Sequence, residues 1–90
     1  MARFEILDGD AAPLGEGPAA ADMLFALGMM YSIGRDDVPV DLVSAHKWFN
    51  LAAAKGNAEA IRLRREIADQ MSEADIAVAQ RAARDWLRAH

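Results

Sequence analysis

The chain has 90 residues and no cysteine, which allows a single domain and excludes a disulfide framework or a thiolate metal site. Apolar residues make up 53% of it but aromatics only 7%; alanine-rich composition with few β-branched residues favours packed helices over sheets or disorder. The net charge of −4 argues against nonspecific nucleic-acid binding.

Residues 1–18 read as a tail. Gly9, Pro13, Gly15, Gly17 and Pro18 interrupt it, and Asp8, Asp10 and Glu16 solvate it. Phe4, Ile6 and Leu7 are the exceptions, a short extended segment able to dock on the domain or on a second copy. The first residues turn acidic early and hold no apolar run of about 7–15 residues, so no secretory signal is read. The longest apolar stretch, Met23–Gly34, is 12 residues, short of the ~20 that a membrane span needs. The expected location is therefore cytoplasmic, with no membrane contact.

From Ala19 the spacing predicts a helix. Leu24, Leu27, Gly28 and Tyr31 fall at i, i+3, i+4 and i+7 and form its inner face. Gly34 stops it as a C-terminal cap, and Pro39 holds Val38 out of helical conformation in the loop that follows. Asp41 then caps a second helix, with Ala45, Trp48, Phe49, Ala52 and Ala53 inward and Gly56 at its end. Asn57 caps a third helix running to about Gln70, with Ala60, Leu63 and Ile67 inward. Ser72 followed by Asp75 resembles a capping box and opens a fourth helix with Ile76, Ala79, Ala83 and Trp86 along one stripe. The expected fold is all-α: two antiparallel helical hairpins.

The two hairpins echo one another. The entry Gly17-Pro18 recurs as Gly56-Asn57, and Ala21 aligns with Ala58, 37 positions later. A period in the thirties with two helices per unit marks an α-solenoid. The series Leu27-Gly28-x-x-Tyr31-x-x-Gly34, Val40-Asp41, Ala45-x-x-Trp48-Phe49, Ala52-Ala53 and Gly56 resembles the Sel1-like repeat, a relative of the tetratricopeptide repeat. The match covers about residues 19–56. Residues 57–90 are similar to the degenerate hairpin that closes such arrays. The resemblance implies a short α–α superhelix serving protein–protein interaction, as an adaptor, regulator or scaffold. It also leaves one repeat where solenoids use about three to bury a continuous core, which raises the prospect of self-association.

The chemistry-bearing residues form no catalytic constellation. His46 and His90 have no second ligand at metal spacing, and His46 reads as structural or surface. Asp36, Asp37 and Asp41 lack the glycine and the distal glutamate of a calcium loop, so they read as turn and cap residues. Arg62, Arg64 and Arg65 have Glu59, Glu66 and Asp69 within i±3 or i±4 reach, and mutual pairing is expected to occupy them. No catalytic residue, metal or cofactor is assigned, and an enzyme is not expected.

One feature stands apart from folding. Phe25, Met29 and Ile33 form a second apolar face on the first helix. In tetratricopeptide relatives the matching surface lines a peptide groove, and the resemblance maps that groove to Asp22, Phe25, Met29, Ser32 and Ile33. The occupant is expected to be a protein or peptide, a Phe–Met pair suiting an adaptable contact. Two alternatives stand beside it: a homodimer that buries this face symmetrically, and a cover from within the chain, either the Phe4–Leu7 segment or the fourth helix.

Overall fold

The computed structural model describes residues 17–35 and 37–90. Phe4, Ile6, Leu7 and Asp36 lie outside the described residues. Four helices follow one another: α1 Gly17–Ile33, α2 Leu42–Ala54, α3 Ala58–Ala68 and α4 Glu73–Ala89. Apart from an isolated bridge between Arg35 and Val38, the described residues form no strand, and the all-α expectation holds.

The helix ends follow local chemistry. α1 begins two residues before the expected Ala19, because Pro18 fits a first turn, where its missing N–H is not needed. At the other end Gly34 takes a φ of +78° and its N–H donates to the Met30 carbonyl at 3.0 Å, the left-handed stop that L side chains resist. The loop then closes on itself: Arg35 and Val38 exchange backbone bonds of 2.7 and 3.0 Å, and the Asp41 N–H donates to the Tyr31 carbonyl at 2.9 Å. Asp41 caps α2 by accepting from the Ser44 N–H, and Asn57 caps α3 by accepting from the Ala60 N–H. α3 stops at Ala68, short of Gln70, and Ser72 caps α4 through the Asp75 N–H.

α2 is the central element. α1, α3 and α4 each pack against it. Its neighbouring aromatics serve different partners. Phe49, fully buried, lies against Gly28 and Phe25 of α1, while Trp48 meets Trp86 of α4 edge-on at 5.9 Å. The core gathers Leu24, Ala45, Phe49, Leu51, Ala52, Ala60, Ile67 and Ala83. Leu51 and His46 are buried as well, although neither falls on the inner stripe expected for α2. A helix enclosed by three others buries more than one stripe. Leu27 and Tyr31, expected inside, are only half-buried.

Candidate functional site

α1 is apolar on all sides. Its 17 residues include one charged side chain, Asp22. A helix of that composition is normally enclosed, as α2 is. α1 packs chiefly on α2 alone, and so retains a side that no described helix covers.

That side forms an open depression of about 450 Å³ lined by Phe25, Ala26, Met29, Met30, Ile33 and Arg35. Phe25 anchors its inner edge, its ring 5.6 Å from that of Phe49, and Met29 also packs partly on the core. Ile33 is 59% exposed. Three of the five residues expected to form the groove are therefore brought together. Asp22 is exposed one turn before Phe25, at the edge of the face and not in its lining. Ser32 does not line it either: its hydroxyl donates to the Met29 carbonyl at 3.0 Å, back-bonding to its own helix. Ala26, Met30 and Arg35 were not anticipated. Ala26 and Met30 follow from the same helical spacing one position on, while Arg35 reaches the depression because the Arg35–Val38 bridge fixes the loop beside the helix end. Among the described residues α4 contributes nothing to this lining, so the fourth helix is not its cover.

Several polar residues elsewhere have partners within the chain. Arg62 pairs with Glu59 and, at 2.6 Å, with Glu66. Arg64 does not join that group; its guanidinium donates to the Asn50 side chain on α2 at 2.8 Å. His46 is buried with no hydrogen-bond partner for Nδ1, and burial, reinforced by the Arg64 charge, holds its pKa below the ordinary value. It is thus a buried residue of α2 that does not line the α1 depression. Among the described residues no group of three or more His, Cys, Asp or Glu side chains is placed to hold a metal ion, and no helix is long and apolar enough to cross a membrane.

The arrangement offers apolar contact area with charge at its rim, which suits the side chains of a peptide or helix. Residues 21–57 match the Sel1 repeat, a family of non-catalytic protein–protein interaction modules. No curated protein and no solved structure matches the chain.

Proposed function

We propose that this chain, whose residues 21–57 match the Sel1 repeat, acts as an adaptor or regulator that receives a peptide or helix on the open face of α1. The observation that carries this is the mismatch between composition and packing: α1 is as apolar as the enclosed α2, yet among the described residues only α2 is enclosed. Phe25 and Met29 form the floor, held by the core beneath them, and Ile33 is the exposed apolar contact at the C-terminal end. α3 and α4, within residues 57–90, close the far side of the repeat and leave the α1 side for binding. Asp22 contributes charge at the rim, while Ser32 bonds back to the Met29 carbonyl and takes no part in the contact.

Selection of peptides from a displayed library against the purified chain tests this. The expected binders carry apolar residues at i, i+3 or i+4 spacing, and Met29→Glu weakens them by about tenfold or more, equivalent to ~1.4 kcal/mol. Leu87→Glu, at an exposed apolar position on α4, leaves them unchanged. Met29→Glu retains the wild-type helical circular dichroism, since Met29 is only half-buried. Binders indifferent to Met29→Glu would place recognition elsewhere and overturn the assignment of the face.

A further inference from the structure

The α1 face carries its charges at its two ends. Asp22 stands one turn before Phe25, and Arg35 lines the depression beyond Ile33. Between them Phe25, Met29 and Ile33 recur at four-residue steps. Both charged residues are exposed, and among the described residues neither has an ion-pair partner. Asp37, exposed in the same loop as Arg35, does not line the depression.

This pattern is self-complementary. At a helical rise of ~1.5 Å per residue Asp22 lies about 10 Å before Met29, and Arg35, just past the helix end at Ile33, lines the opposite end of the same face. A two-fold rotation through Met29 therefore lays Phe25 on Ile33 of a second copy, Met29 on its own equivalent, and Asp22 beside Arg35. Parallel packing would instead oppose Asp22 to Asp22 and Arg35 to Arg35. Rim charges of this kind set orientation more than affinity, and here they select the antiparallel arrangement. A two-fold contact of one patch with itself also closes, so it produces a dimer and not a fibre.

We propose that the occupant of the α1 face is a second copy of this chain, packed antiparallel about Met29 with reciprocal Asp22–Arg35 ion pairs. This rests on the reading of the α1 face as a binding surface and names its partner. The paired α1 helices enclose one another, giving each the second apolar neighbour that its composition calls for.

Light scattering of the full chain over a wide concentration range tests the pairing, with Asp22→Arg, Arg35→Asp and their mixture. The wild type is expected to pass from one chain to two as concentration rises. Each single charge reversal should weaken the dimer by about tenfold, since it turns two attractions into two repulsions. An equimolar mixture of the two variants should recover the dimer, because each supplies the charge the other has lost; a merely structural role for either residue gives no such rescue. Both positions are exposed and unpaired among the described residues, so the variants fold as the wild type does. A chain that stays single at every concentration overturns the second-copy proposal. If its selected peptides remain sensitive to Met29→Glu, the face still binds, and only the identity of its partner was wrong. A dimer that withstands both reversals and Met29→Glu lies on another surface, which also overturns the proposal.

Discussion

A side chain at position 28 has nowhere to go. A Cβ built on Gly28 overlaps the ring of Phe49, which is itself fully buried and cannot swing aside. Glycine inside a helix costs about 1 kcal/mol relative to alanine, so the close approach of α1 to α2 outweighs helix propensity here. Gly28→Ala is accordingly expected to lower stability by about 1–3 kcal/mol in urea unfolding, the range of core overpacking, and Gly28→Leu by more. An alanine variant as stable as the wild type would mean that the helices can part without loss. His46 gives a second prediction at this scale. Its folded pKa lies below the ordinary 6.5 because burial, and then the Arg64 charge, disfavour the imidazolium. The unfolded chain therefore takes up the proton first as pH falls. The His46 contribution is complete above about pH 6.5 and is lost as the pH drops toward the folded pKa. The urea midpoint should fall between about pH 7.5 and pH 5, and His46→Gln should flatten that fall. A His46→Gln variant that keeps the full wild-type slope would assign the effect to other groups.

Helix boundaries were the most legible elements in the sequence. Asp41, Asn57 and Ser72 each cap the helix expected, with acceptor distances of 3.1, 2.9 and 3.0 Å to the N–H three residues on. Caps are local: the residue and its partner lie within four positions, so no tertiary knowledge is needed. Ser44 adds a hydroxyl bond to Asp41 at 2.8 Å. At Ser72 only the serine arm of the capping box is recorded among the described residues; an aspartate at the third position is one methylene shorter than the usual glutamate. Replacement of Asp41 or Asn57 by Ala should cost about 1 kcal/mol each, measured by urea unfolding. The losses should add, because the two caps serve different helices and share no partner. What the element scale concealed was the second buried side of α2. The stripe Ala45, Trp48, Phe49, Ala52 and Ala53 was read, while Leu51 and His46 were not, since their burial depends on α3 and α4 arriving on the other sides.

At the scale of the whole molecule one repeat must do the work of several. Among the described residues α2 has neighbours on three sides and α1 chiefly on one, as in a terminal repeat of a solenoid. Pairing of α1 with a second copy would make the thermal midpoint rise with protein concentration, and the Asp22→Arg variant should show less of that rise. A midpoint independent of concentration in the wild type would contradict the pairing by a route separate from mass measurement. The opposite flank is closed by aromatic contact: Trp48 meets Trp86, and His90 stacks on Trp86 at 4.1 Å. The two flanks thus differ in kind: one carries ring contacts within the chain, and the other is apolar and covered by no other described helix.

Spacing alone determined that the chain is helical and, to within about two residues, where its helices begin and end, because period and caps act over a few positions or recur at a fixed step; that Phe49 lies against Gly28 came from the tertiary structure. Spacing also placed Phe25, Met29 and Ile33 on one face. Only the tertiary structure decided that this face is not covered by α4, that Ser32 turns back onto its own helix, and that Arg35 joins the depression from the loop. Those outcomes depend on where separate elements come to rest against α2, and contacts between distant segments leave no period in the sequence.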